Sequence, residues 1–354
     1  MKNKISSGPI SEELWLLLSQ AFYGFPAQLD IIPRPSLAHQ SNRLYDFLFK
    51  GRHYIVKEYL KPEEFAESPI REYKGLQILG PTGIAPRPVY FNPGSPHTNR
   101  PIVVYELMEG QMWDRTKPMA EDLRRLFGLY ATINSVAHHQ PWPSRSDGYP
   151  FQARDRLERT ADSYLSYCES EFPEGQPAAE KIKQLFHERS ADLDELKDLE
   201  PVKCFSRGDP RFANIIEKPD GSLGMVDWED CGWLDPALDM ADLVTHPNQE
   251  DLLDWSEWIE FLDPYARTRE EAGDGSFERR LEIYTGVLFH YRLLMLLEIG
   301  MDQRADDQFA DWQINTMPAN QRLGRYLAKS SAWPEIEPHE PLVPASDIRF
   351  FAGL

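Results

Sequence analysis

The spacing of apolar positions along this chain changes near residue 110. Before it, short runs dense in aromatic and β-branched residues predict strands. Tyr45-Asp46-Phe47-Leu48-Phe49 and His53-Tyr54-Ile55-Val56-Lys57 flank a Lys50-Gly51-Arg52 turn, and Pro88-Val89-Tyr90-Phe91 and Ile102-Val103-Val104-Tyr105 follow. A short amphipathic helix is expected over 11–23. A second is expected over 63–80, where Phe65, Ile70, Tyr73, Leu76 and Leu79 share roughly one stripe and Pro81 and Gly83 end it. Past Gly110, Leu123, Leu126, Phe127, Tyr130, Ile133 and Ala137 recur at helical spacing and predict one long core-facing helix. More helices are expected over 151–170 and 177–199, and several from Pro236 to about Leu327, with a hairpin-like patch over 202–229. Pro334, Pro338, Pro341 and Pro344 make the tail an irregular strap. The class is α+β: a small β-rich lobe over 1–108, a hinge at 109–112, and a larger, mostly helical lobe over 113–354.

Length agrees with that division, since a single core rarely grows past about 250–300 residues and the chain has 354. Apolar residues at 41% and charged residues at 27% are globular proportions, which excludes a disordered chain. A net charge of −19 argues against nucleic acid or an anionic membrane as partner and mildly favours cationic ligands. Cys168, Cys204 and Cys231 are too few and scattered for a disulfide framework or a paired zinc site, so a reducing cytoplasm is the expected setting. The most hydrophobic stretch, Val287 to Ile299, carries His290, Arg292 and Glu298 and is too short and too charged to span a membrane. Glu12 and Glu13 interrupt the segment an export signal would need after Lys2 and Lys4.

The most informative chemistry lies in Ser206-Arg207-Gly208-Asp209-Pro210-Arg211-Phe212-Ala213-Asn214 and Gly224-Met225-Val226-Asp227-Trp228-Glu229. Pro219-Asp220-Gly221 between them signals a turn. With the turn centred between Asp220 and Gly221, Asn214 and Asp227 face each other at the open end, and Asp209 lies one short loop upstream. One amide oxygen and two carboxylates gathered there suit a hard divalent cation such as Mg2+, which takes oxygen ligands and keeps phosphates and waters in its shell. For any single aspartate an acidic surface loop is the simpler explanation; the spaced set favours the metal.

Gly208-Asp209-x4-Asn214 with Val226-Asp227-Trp228-Glu229 and Gly232-Trp233-Leu234-Asp235-Pro236-Ala237-Leu238-Asp239-Met240-Ala241 resembles the aminoglycoside phosphotransferase and choline kinase superfamily. The resemblance spans roughly 40–330 and implies a two-lobed protein-kinase-like fold, ATP (with GTP an alternative) and Mg2+. It implies Asp209 as the catalytic aspartate that accepts or orients the substrate hydroxyl proton, and Asn214 and Asp227 as metal ligands. Asp239 resembles a position that braces the catalytic loop. Lys57, closing a strand, and Glu72, on the next helix, resemble the pair that grips the α- and β-phosphates. Ser41 and Asn42 resemble the polar end of a phosphate-covering loop, expected at 38–45. Glu106 and Met108 resemble a hinge whose backbone reads the adenine edge. Two features depart from the family. Arg207 stands where it usually has histidine, and the phosphate loop lacks the usual glycines.

Asp235-Pro236 reads independently as a helix N-cap with a first-turn proline. Glu229, Asp230 and Trp233, next to the metal motif, are the candidates for substrate contact. Among the remaining tryptophans, Trp228 is the other exception to a packing role expected of Trp113, Trp255, Trp258 and Trp312. His138-His139 reads as a last-turn pair favoured by the helix dipole. The five acids in Asp251–Asp263 read as a solvated helix face where the family places substrate-selecting helices. The expected activity is transfer of the γ-phosphate of ATP to a hydroxyl of a small, cationic or sugar-like molecule by a monomer or homodimer. The alternative is a pseudokinase that keeps the fold and binds a nucleotide or ligand without turnover.

Overall fold

The computed structural model describes residues 10–26, 29–34, 42–61, 66–94, 100–113, 120–137, 142, 158–159, 161–163, 165–166, 169, 176–247, 249, 252–253 and 255–301. They form two compact units. The first holds the described residues of Met1–Asp114, Ser135–Arg145 and Asn214–Gly232; the second holds those of Arg115–Asn134, Ser146–Ala213 and Trp233–Leu354.

The first unit is built on an antiparallel sheet of β1 (Ile31–Pro33), β2 (Asn42–Phe49), β3 (Arg52–Tyr59), β4 (Pro88–Asn92) and β5 (Ile102–Glu106) in the order β1-β2-β3-β5-β4. The β2–β3 turn has Lys50 and Gly51 both left-handed, at φ 49° and 76°, which is the twist a two-residue hairpin needs. Central β3 is buried from Tyr54 to Tyr59. Phe47, Tyr54, Val56 and Val104 pack with Leu14, Leu18 and Phe22 of or beside α1 (Glu12–Ala21), whose first turn is capped by Ser11 Oγ accepting from Leu14 N–H at 3.2 Å. Helix α2 (Ser68–Leu79) starts later than the apolar stripe suggests, because Pro69 fits a helix only in its first turn; 62–65, with Phe65, lie outside the described residues.

The same unit contains a second, three-stranded sheet of β6 (Gln111–Met112), β8 (Ile215–Glu217) and β9 (Leu223–Met225). The expected hinge at 109–112 is thus partly strand. Gly110 makes this pairing sterically feasible: at φ 147°, a Cβ there would sit 2.4 Å from the Glu217 carbonyl oxygen. Ile215 pairs with Met225 and Ile216 with Gly224, and the Val226 N–H donates to the Asn214 carbonyl at 2.9 Å. Asn214 therefore faces Val226, not Asp227. The loop has three residues and ends on left-handed Gly221 (φ 79°), which moves its centre onto Asp220.

In the second unit lie α3 (Ala120–Asn134), α4 (Gln176–Glu195), α5 (Pro236–Thr245), α6 (Trp255–Glu271) and α7 (Phe277–Met301), with β7 (Cys204–Ser206) paired to β10 (Gly232–Leu234). The described residues between 158 and 169 are helical. Asp235 caps α5, its Oδ1 accepting from the Ala237 N–H at 3.0 Å ahead of Pro236, and buried Arg280 of α7 donates to both its oxygens at 2.9 and 3.1 Å. The class is α+β. Among the described residues no helix is long and apolar enough to cross a membrane. Ser41, His138, His139, Cys168, Asp251, Trp312, the proline-bearing tail and the side chain of Trp255 lie outside the described residues.

Candidate active site

Lys57 sits near the end of β3, between Leu44 of β2 and Val103 of β5, with only 3% of its surface exposed. A lysine so placed needs counter-charge. Its Nζ donates to Glu72 Oε2 at 2.8 Å and Asp227 Oδ1 at 2.5 Å, and lies 3.0 Å from Glu229 Oε2. Glu72, fully buried on α2, also accepts from the Tyr59 hydroxyl. Burial pushes the Lys57 ammonium down, but Asp227, Glu229 and Glu72 together raise it well above its ordinary value, so it is charged.

Three carboxylates around one ammonium leave two surplus negative charges, with Glu72 buried and Asp227 and Glu229 half-buried. The surplus appears in Glu229: burial pushes its carboxyl up to about 7 against the pull of Lys57, with Asp227, Glu72 and Asp230 adding to the rise. Oxygens of Glu72, Asp227 and Glu229 lie within 4.8 Å of one another. An all-oxygen set with excess negative charge fits a hard divalent cation. Asn214 Nδ2, Asn42 Oδ1 and Glu72 Oε1 are buried with no hydrogen-bond partner, which also suits an additional polar ligand.

The backbone aims these groups. Asp227 adopts φ 66°, a left-handed conformation that costs about 1–2 kcal/mol for a residue with a Cβ. Arg71, one residue before Glu72, is buried; its Nε donates to the Glu229 carbonyl at 2.9 Å and its Nη2 to Ser68 Oγ at 2.8 Å. Helix α2 thus holds both Glu72 and the main chain of Glu229. Asn42, the first residue of β2, donates from Nδ2 to Glu229 Oε2 at 2.9 Å. Asp230 lies 3.9 Å from Arg71 Nη2.

At the end of β5, the Glu106 N–H donates to the Arg87 carbonyl and the Leu107 N–H to the His53 carbonyl, both at 2.9 Å, while the Glu106 side chain pairs with Arg52 at 2.6 Å. Met108 lies over Gly224, where a Cβ would approach its Sδ to 2.4 Å.

Asp209 belongs to the second unit, in the loop after β7. Gly208 before it is left-handed at φ 77°. The N–H groups of Arg207 and Gly208 donate to the two oxygens of Asp239 on α5, at 3.2 and 2.8 Å. Arg211 Nε donates to both Asp209 oxygens at 2.8 and 2.7 Å. Burial pushes the Asp209 carboxyl up, but Arg211, Arg207 and His246 overcome it and hold the group well below the usual carboxylate range. Arg207, in place of histidine, is fully buried; a permanent cation there favours the ionised Asp209.

Trp228, expected as an exception to core packing, is a core side chain. It is fully buried and its Nε1 donates to the Met225 carbonyl at 2.8 Å, so the aromatic run beside Asp227 is partly packing. Trp233 is half-buried, edge-on to Phe205 at 5.7 Å between centroids. Sequence reading missed Tyr59, Arg71 and Arg211. The Asp-Pro-Arg step, two residues from Asp209, was a signal for the last; a lone Tyr and a helix Arg carry none.

The model of the phosphotransferase enzyme family matches residues 34–281. No curated protein matches. Among solved structures, a choline kinase, LicA, from Streptococcus pneumoniae is 18% identical with a TM-score of 0.52, over 86% of this chain and 94% of that one. An ethanolamine kinase of Plasmodium vivax is 16% identical at TM-score 0.53, over 86% of each chain. A spectinomycin phosphotransferase solved with ADP and spectinomycin is 11% identical at TM-score 0.57, over 92% and 99%. These likenesses give the protein-kinase-like fold, and the match over 34–281 shows that this chain belongs to the phosphotransferase enzyme family.

Proposed function

We propose that this protein is a small-molecule kinase that moves the γ-phosphate of ATP to a hydroxyl of a small, cationic or sugar-like acceptor. The observation that carries the reading is the contact of Lys57 Nζ with Glu72, Asp227 and Glu229 at 2.5–3.0 Å. A buried ammonium fixed on a strand by a helix carboxylate is suited to neutralise phosphate oxygens. Asp227 and Asn214 are assigned to hold Mg2+, which when bound would neutralise the charge spread over the transferring group. Glu229, in the same cluster, is assigned to charge balance there. Asp230 and Trp233 remain the candidates for acceptor contact, and the Glu106 carbonyl and Met108 N–H are assigned to the adenine edge.

Asp209 is the group assigned to the acceptor. Being ionised, it accepts a hydrogen bond from the hydroxyl and orients its oxygen for attack. Most of the acceleration then comes from alignment and fixed charge, because a loose transition state needs little covalent help. The net charge of −19 supports a cationic acceptor in only a general way.

The test is an ATP-consumption screen with Mg2+ across amino alcohols, sugars, nucleosides and hydroxylated antibiotics. Turnover with one class, abolished in Asp209→Ala with the fold intact, is expected. Nucleotide binding without turnover on any acceptor, or an Asp209→Ala variant at near-normal rate, overturns the reading.

A further inference from the structure

We propose that Gln249 is a positioning residue for phosphoryl transfer, fixing the main chain on the far side of Asp209; the proposal rests on the kinase reading above. Within the 207–212 loop Pro210 has no N–H, and the Arg211 N–H donates to the Asp209 carbonyl at 2.9 Å. Side chains hold the main chain on both sides of Asp209. Asp239 takes the two N–H groups before Asp209. Fully buried Gln249 takes the two polar groups after it: Nε2 donates to the Pro210 carbonyl at 2.6 Å, and Oε1 accepts from the Phe212 N–H at 3.0 Å.

The remaining Nε2 hydrogen of Gln249 goes to the Leu243 carbonyl on α5 at 2.8 Å. Both sides of the loop are therefore tied to α5, through Asp239 directly and through Gln249 at Leu243. The peptide units on either side of Arg211 are held, and with them the guanidinium that rests on both Asp209 oxygens. Gln249 itself is fixed by a tight turn, its N–H donating to the His246 carbonyl at 3.0 Å. A side-chain amide is the group for this place, because one donor and one acceptor must be matched at the same time and a third bond anchors the pair. A displacement of about 1 Å at a reacting group can cost 10²-fold in rate.

The experiment compares wild type, Gln249→Met and Gln249→Glu. Turnover is followed with MgATP and the acceptor found by the screen, or with water as acceptor if none is found; hydrogen exchange is followed on the ligand-free protein. In Gln249→Met, kcat is expected to fall about 10²-fold with KM for ATP within twofold, and the Arg211 and Phe212 amides to exchange about tenfold faster while β3 amides are unchanged. Gln249→Glu retains the acceptor for Phe212 and is expected to recover part of the rate; it carries the test if the methionine variant does not fold. An active wild type with kcat or Phe212 exchange unchanged in Gln249→Met overturns the proposal alone, as does a kcat equal to wild type in Gln249→Glu where only that variant folds. A wild type without ATP turnover overturns the kinase reading and this role with it.

Discussion

A carboxylate that accepts two backbone N–H bonds is ordinarily a strong acid, yet burial drives Asp239 the other way, up to about 6, against the N–H groups of Gly208 and Arg207. Because folding raises this pKa, the contribution to stability is complete below about pH 4 and is lost as pH rises through 6. Relative to Asp239→Asn, wild type is expected to lose on the order of 2–3 kcal/mol of unfolding free energy between pH 4 and 7, read by denaturant titration at each pH. Equal slopes for the two proteins would contradict the assignment. Glu229 poses a related problem, as a third carboxylate around one ammonium. Glu229→Gln is expected to raise the melting temperature of the nucleotide-free protein, since it removes charge the site holds at a cost. The pairing of Lys57 with Glu72 was legible because a strand-end lysine and a helix carboxylate recur in a recognisable order. The contacts of Arg71 and Tyr59 were not, since their partners, the Glu229 carbonyl and Glu72, are brought together only by folding.

Elements were read well where their residues pack on near neighbours and less well where a distant segment decides. The β2–β3 hairpin carries its own turn chemistry; expected over 45–60, it runs from Asn42 to Tyr59, starting three residues earlier. The two residues of β6 carry no pattern of their own; they are a strand because Glu217 and Ile216, over a hundred positions on, lie beside them. Likewise Pro219-Asp220-Gly221 announced a turn but not its length, so the Asn214 partner was misjudged by one position. Gly110 is the element-scale test. Gly110→Ala puts a methyl 2.4 Å from a carbonyl oxygen at an unfavourable φ and is expected to cost about 2 kcal/mol or more in chemical denaturation. Gly51→Ala is the comparison: its φ is also positive, at 76° against 147°, but it has nothing within 4 Å, and about 1 kcal/mol is expected. Similar losses for both would mean that the approach of Gly110 to β8 is not tight.

At the scale of the molecule, the lysine, its three carboxylates, Glu106, Met108 and the β8–β9 hairpin all belong to the first compact unit. Nucleotide is therefore expected to stabilise that unit in particular. At a hundred times the dissociation constant the gain is about 2.7 kcal/mol, visible in calorimetry as an upward shift of one transition with MgATP. Lys57→Met should remove the shift. A shift that persists undiminished in that variant would place the nucleotide elsewhere.

The first unit is also discontinuous in the chain, since Asn214–Gly232 returns to it after a long excursion. Lys57 is synthesised 170 residues ahead of Asp227. On the ribosome, then, its ammonium waits through half the polypeptide for two of its three acidic neighbours. A fragment ending near 114 would leave that charge with Glu72 alone, so the first 114 residues are not expected to survive on their own as a cut-down domain.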